Sequence, residues 1–251
     1  MSTWVEGRVA FVRHWTDSLF SLGVDASEVT FTAGQFARLA LPAEAGAKEP
    51  MLGRPYSFVN PPHQSPHEFY AAVVRGGPLS PRLAQLAPGD PLWLLPRANG
   101  FFTIEEVPPA ESLWALATGT GIGPFLSMLR TQAPWDTFAR IVLVQAVRHA
   151  SELAYAETIA GIGRAHPGAF THVPIVSREE HAGALRGRIP ALIDDGRLEA
   201  RAGMPLGPEN AQAMLCGNPQ MVDDTQQTLA RRGMRRHRRR EPGHVHVEAY
   251  W

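Results

Sequence analysis

The stretch LATGTGIGPFLSML, residues 116–129, begins as a short apolar run, passes three glycines at 119, 121 and 123, and continues into a helix-forming segment. A buried strand, a glycine-rich turn and a helix, in that order, make one unit of a parallel sheet, and the turn lets backbone N–H groups approach a phosphate. The spacing is not the G-x-G-x-x-G fingerprint, so the turn is a phosphate-type turn without that pattern's specificity. Thr118 and Thr120 add hydroxyl groups to it.

The same rhythm runs downstream. RIVLVQAV (140–147), FTHVPIVS (170–177) and AMLCG (213–217) read as buried strands. SELAYAETIAGIG (151–163) and NPQMVDDTQQTLARRG (218–233) read as helices. Alternating strands and helices predict a parallel α/β sheet that binds ligands at the carboxyl ends of its strands. Upstream, GRVAFVRHW, LFSLGV, FARLAL, PYSFVN, EFYAAVV and PLWLLP are short β-type runs, divided by TAGQ, NPPHQSPH and APGD. They predict an antiparallel β-barrel or sandwich. EEVPPAES (105–112) is the natural linker, which gives two domains, 1–108 and 109–251.

Composition sets limits. Of 251 residues, 44% are hydrophobic and 19% charged, an ordinary globular mix, and no apolar run reaches membrane-spanning length. The first residues lack a signal-peptide pattern. The single cysteine, Cys216, excludes an internal disulfide and any Cys-ligated metal or iron–sulfur centre within one chain. No metal is expected, and a reducing, cytoplasmic compartment fits. Net charge is zero, yet seven arginines crowd into RRGMRRHRRR (231–240). That run reads as a solvated helix end, as a nucleic-acid patch, or as a landing site for an acidic protein.

Four further segments carry candidate chemistry. In RPYS, Arg54 offers a donor fork for a phosphate and Tyr56 a platform for an aromatic ring, on one strand face, with Ser57 beside them. In RGGPLSPRL, Ser80 is expected to cap a helix that begins at Pro81, giving a second anion site. One ring to hold and one pyrophosphate to neutralise is what a flavin dinucleotide requires. Arg148 and Arg178 follow successive strands and Arg188 lies just beyond; arginine at such positions suits the 2′-phosphate of NADP, where an acid would suit NAD. Finally, Asn218 is expected to cap the last helix, and Cys216 ends a strand, either as a small buried hydrophobe or at the ligand edge.

In this order, RPYS, GPLSPRL, GFF, LATGTGIGPFLSML, VSRE, GRIPALI, MLCGNPQMV and the closing VEAYW resemble the bacterial ferredoxin/flavodoxin–NADP reductases. The resemblance implies an FAD-binding barrel followed by an NADP(H)-binding domain. Arg54, Pro55, Tyr56, Ser57, Tyr70, Pro78, Leu79 and Ser80 would hold FAD, and Thr120 would sit where the domains meet. Arg148, Ser177, Arg178 and Arg188 would take the 2′-phosphate and adenine; Asn218, Pro219, Gln220 and Asp224 would contact NADP. Ser57, Cys216 and Glu248 would shape the reacting pocket. Tyr250 and Trp251 would stack on the FAD, on its isoalloxazine or on its adenine. The implied activity is hydride exchange between NADP(H) and flavin, with single electrons passed to ferredoxin or flavodoxin. A monomer is expected, with no nucleic-acid partner and no stable membrane association. The alternatives are an NADH-dependent flavin or cytochrome reductase of the same fold, and a nucleic-acid-binding module built on the arginine run.

Overall fold

The short β runs of the first hundred residues close on themselves. The structure, a computed structural model, describes residues 4–43, 46–47 and 49–249. Strands β1 (Val5–Thr16), β2 (Leu19–Asp25), β3 (Phe36–Pro42), β4 (Met51–Ser57), β5 (His67–Ala72) and β6 (Pro91–Leu94) form one antiparallel sheet in the order β4-β3-β6-β1-β2-β5. Just beyond β4, Phe58 bridges to Phe69 of β5, and the Val59 N–H donates to the Glu68 carbonyl at 2.8 Å. The two sheet edges therefore meet, and the barrel leaves no open edge there. Phe20, Leu22, Leu39, Phe58, Phe69, Leu92 and Leu94 fill it, with Phe31 stacked on Phe58 at 3.7 Å.

The second sheet is parallel throughout its ladders. Strands β7 (Ser112–Thr118), β8 (Arg140–Val147), β9 (Phe170–Val176), β10 (Leu185–Arg186), β11 (Ala211–Gly217) and β12 (Val245–Ala249) lie in the order β10-β9-β8-β7-β11-β12. Every residue of β11 is buried, as expected of a strand covered on both faces. Among the covering helices are Ile122–Leu129, Ala156–Ala165 and Pro219–Arg231. The chain moves outward from β7 through β10, then returns to the other side of β7 for β11. That reversal leaves a crevice at the carboxyl ends of β7 and β11.

The expected division at 108/109 falls in the segment between β6 and β7. The two sheets share an apolar seam: Leu19, Val59 and Tyr70 of the barrel cluster with Ala117, Ile122, Phe125 and Tyr155.

Two local expectations need correction. The helix expected over 151–163 starts only at Ala156, because Tyr155 takes a left-handed conformation with φ 64°. Ser80 is the first residue of the helix Ser80–Leu83 and not its cap; its Oγ accepts instead from the Val74 N–H at 2.9 Å, closing the glycine-containing loop before it.

Candidate functional site

The crevice is built from glycines that permit contact. A Cβ on Gly121 would lie 2.3 Å from the Cys216 carbonyl oxygen and 2.8 Å from the Gly217 Cα, so only glycine lets the turn rest on the end of β11. Gly119, at φ 54°, has no atom within 4 Å of where a side chain would project; its surroundings are open. Thr118 Oγ1 accepts from the Asn218 N–H at 3.0 Å and ties the two strand ends together. Asn218 then caps the last helix as expected: its Oδ1 accepts from the N–H groups of Gln220 at 3.0 Å and Met221 at 3.4 Å, with Pro219 in the first turn. Gln220 donates to Asp224 at 2.7 Å. Thr120 lies half-buried in the turn itself.

Beside the crevice stand the arginines. Arg148 follows β8, Arg178 follows β9 by two residues and Arg188 follows β10, and all three are exposed. The loops that carry them are joined: the Ser177 N–H donates to the Val147 carbonyl and the Arg178 N–H to the Arg148 carbonyl, each at 3.0 Å. Ser177 Oγ also donates to the Val147 carbonyl, at 3.2 Å. Among the described residues, none of the three guanidinium groups makes an ion pair or hydrogen bond. Neighbouring arginines do: Arg186 pairs with Glu180 at 2.7 Å, Arg197 with Asp195 at 2.7 Å and Arg231 with Asp194 at 2.9 Å. Three cations uncommitted among the described residues thus stand at adjacent strand ends.

On the barrel, Arg54 and Pro55 are exposed, Tyr56 is half-buried and Ser57 is buried. Arg54 Nη1 donates to the Gly53 carbonyl at 2.9 Å. Burial pushes the Tyr56 hydroxyl up to about 12, with the Arg54 charge opposing. Pro78 is exposed; Leu79 and Ser80 are buried. Tyr70 belongs to β5, whose Phe69 bridges Phe58 just beyond Ser57. It is 5% exposed and lies in the seam, edge-on to Tyr155 at 5.2 Å and to Trp15 at 6.5 Å.

Register places Cys216 of β11 beside Ala117 of β7 and Glu248 of β12. Cys216 is wholly buried. Glu248 is half-buried; its shielded Oε2 has no hydrogen-bond partner, and burial raises its carboxyl to about 7. Ala249 pairs with Gly217, so β12 runs to the rim of the crevice. Tyr250 and Trp251 lie outside the described residues.

The arginine run divides in two. Arg231 and Arg232 are committed internally, Arg232 to Glu199 at 2.5 Å and to the Ile193 carbonyl. Arg235, Arg236, Arg238, Arg239 and Arg240 belong to the loop before β12. Arg235 and Arg238 share Glu241 at 3.9 and 3.7 Å. Arg239 reaches Glu106 at 3.6 Å and lies 4.5 Å over the ring of Phe101, which is 65% exposed. Among the described residues, no cluster of His, Cys, Asp and Glu is arranged to hold a metal, and no helix is long and apolar enough to cross a membrane.

Sequence reasoning missed the polar residues of the seam: Trp15, Ser21, Glu68 and Tyr155. Their hydrogen bonds join residues as much as 134 positions apart, and no local pattern signals them.

Comparison with known proteins agrees with this geometry. The oxidoreductase NAD-binding domain family matches residues 115–227. The chain is 48% identical over 252 residues to the flavodoxin/ferredoxin–NADP reductases of Shigella flexneri and Escherichia coli K12, with 100% of each chain covered. It superposes with TM-score 0.93 and 32% identity, again over 100% of both chains, on a ferredoxin–NADP+ reductase from Neisseria gonorrhoeae with bound FAD and NADP.

Proposed function

Because this chain belongs to the flavodoxin/ferredoxin–NADP reductases, we propose that its two sheets divide the reaction between them at residues 108/109, the barrel holding FAD and the parallel domain NADP(H). The protein is an FAD-dependent oxidoreductase that exchanges hydride with NADP(H) and single electrons with ferredoxin or flavodoxin. FAD supplies the redox chemistry, accepting a two-electron hydride and releasing electrons singly. The chain supplies position and field.

Arg54 takes the FAD pyrophosphate, helped by the loop through Pro78, Leu79 and Ser80. Tyr56 offers its ring as a platform, next to Pro55, and Ser57 borders the reacting edge. Tyr70 acts from behind, filling the seam. Thr120 and the open turn at Gly119 meet the nucleotide between the domains. Asn218, Pro219, Gln220 and Asp224 form the opposite lip. Glu248, its carboxyl raised by burial, borders the pocket beside Cys216. Tyr250 and Trp251, next in sequence after Ala249, would stack on the FAD. The loop arginines 235–240 steer an acidic electron carrier. The protein acts as a cytoplasmic monomer.

The observation that carries NADP over NAD is the trio Arg148, Arg178 and Arg188, exposed and uncommitted at adjacent strand ends. The test is flavin reduction in the purified holoprotein with NADPH and NADH side by side. NADPH should act at far lower concentration; equal efficiency would remove the 2′-phosphate assignment.

A further inference from the structure

The seam between the sheets is mostly apolar, and Tyr155 is the centre of one line of directional bonds across it. Tyr155 is 6% exposed. Among the described residues it alone, apart from glycines, has a left-handed φ. A tyrosine adopts that conformation only where its surroundings require it. The requirement is visible at its hydroxyl, which donates to Glu68 Oε1 of β5 at 2.7 Å and lies 2.5 Å from Ser21 Oγ of β2. Trp15 Nε1 donates to the same Ser21 Oγ at 2.8 Å. The order of donors is forced. Indole nitrogen only donates and a carboxylate only accepts, so Trp15 gives to Ser21, Ser21 gives to Tyr155, and Tyr155 gives to Glu68.

The other end of this junction is the arginine loop. Glu152 Oε2 accepts from the Arg148 N–H at 2.8 Å, Gln145 donates to the Ala154 carbonyl at 3.1 Å, and the Ala150 N–H donates to Glu179 at 2.6 Å, next to Arg178. Residues 148–155 thus form a braced pin, with the anion-binding arginine at one end and the buried phenol at the other. A second polar anchor crosses the seam at the helix after the glycine turn: Ser127 Oγ donates to the Asn60 carbonyl at 2.8 Å, and Asn60 Oδ1 accepts from the Glu68 N–H at 2.7 Å. Apolar contacts let two bodies slide; two separated sets of directional bonds fix their mutual rotation.

We propose that Tyr155 is a positioning residue for hydride transfer: its hydroxyl locks the nucleotide-binding sheet at the angle that brings NADPH, held by its 2′-phosphate, against the flavin. The proposal rests on the reductase reading. It predicts that Tyr155 governs rate and not affinity, since the arginines and the crevice that bind the nucleotide lie wholly on one side of the junction.

The test is Tyr155→Phe in the FAD-bound protein, which keeps the ring and removes the hydroxyl. Binding of NADP+ and of 2′,5′-ADP should stay within about twofold, because no group touching them is changed. Flavin bleaching by saturating NADPH in stopped flow should slow by about tenfold to a hundredfold, as expected for a reactant held about 1 Å out of place. The long-wavelength charge-transfer absorbance of the nicotinamide–flavin pair should fall with it. Glu68→Ala, at a half-buried position, should reproduce the loss, and the double variant should add little, because the two residues act as one unit. Should Tyr155→Phe not retain FAD, Glu68→Ala carries the same criteria. Bleaching within twofold of wild type overturns the proposal, as does a loss of nucleotide affinity that accounts for the slower rate. Wild-type protein whose flavin NADPH does not bleach would instead remove the reductase reading, so the two failures are distinct.

Discussion

Replacing Glu248 with glutamine isolates the consequence of burying a carboxyl with one oxygen unpartnered. Burial raises this carboxyl from its ordinary 4.5 to about 7. Between those values the folded state keeps a proton that the unfolded chain has lost, so stability falls as pH rises through this window, and the full penalty is present above about pH 7. Each pH unit of that window costs about 1.4 kcal/mol, so the penalty is on the order of 3 kcal/mol at pH 8. Glutamine has the same shape and does not titrate. Glu248→Gln should match the wild type near pH 4.5 and become progressively more stable above it. For a chain of this size, 1 kcal/mol moves the melting temperature by about 2–4 °C, so a gap of roughly 6–12 °C is expected at pH 8. The assay is thermal unfolding of both holoproteins at half-unit pH steps. Two histidines, the half-buried His172 lowered to about 4 and the buried His246 lowered to about 3, also titrate against folding, on the acid side. Their folded forms refuse protons that the unfolded chain accepts below its ordinary value, so both proteins lose stability as pH falls. The difference curve cancels them. A gap that is constant across pH, or one that widens toward acid, would refute the assignment of a desolvated carboxyl.

Three other outcomes follow from exposed groups. Arg178→Ala or Arg188→Ala should raise the NADPH dissociation constant by about tenfold to a hundredfold, the loss of one charge-assisted hydrogen bond, with NADH nearly unchanged; equal losses for both nucleotides would sink the assignment. Changing Arg235, Arg236 and Arg238 together to Gln should slow electron transfer to flavodoxin or ferredoxin at low salt and leave a small neutral acceptor unaffected, whereas carrier kinetics unchanged across a salt series would return the run to a solvated face. Removing Trp251 should shift FAD retention or NADP affinity by a modest factor, consistent with about 0.5–1.5 kcal/mol of stacking; wild-type values for both, with an unchanged hydride-transfer rate, would make that ring a bystander.

What the sequence made legible is what local chemistry dictates. The turn at 119–123 announces itself because a residue resting on the Cys216 carbonyl tolerates no Cβ. Asn218 reads as a cap because an Asn side chain ahead of Pro accepts the first N–H groups of a helix, as it does here. Arginines at strand ends could be counted directly. Tyr70 was harder. Alternation along β5 should tell its two faces apart, but Phe69, Tyr70 and Ala71 are all buried. One face fills the barrel and the other fills the seam, so the period-two signal vanishes while Tyr70 turns to the seam. Tyr155 was out of reach. SELAYAETIAG is helix-forming throughout, and the break at its centre is imposed by partners in β2 and β5 that no local window contains.

That division has a mechanistic counterpart. Groups readable from sequence, the strand-end arginines and the turn at Gly119, are exposed or open, and on the proposed reading each meets its ligand directly. On the proposed reading the arginines set affinity, and each can be changed without disturbing a packed neighbour, whereas a side chain at Gly121 would collide with the Cys216 carbonyl. The hydroxyls of the chain Trp15–Ser21–Tyr155–Glu68 are already engaged with one another and are useful only in the one arrangement that satisfies all of them, because a desolvated hydroxyl left unpaired is costly. Such a junction is poorly suited to strengthening binding and well suited to holding an angle. Hydride transfer needs its two reacting atoms within about 3–3.5 Å, so a small rotation between the sheets changes rate far more than affinity. Substitutions should therefore fall into two kinetic classes: those at exposed strand ends should move dissociation constants, and those along the buried junction should move the rate of transfer at saturating NADPH.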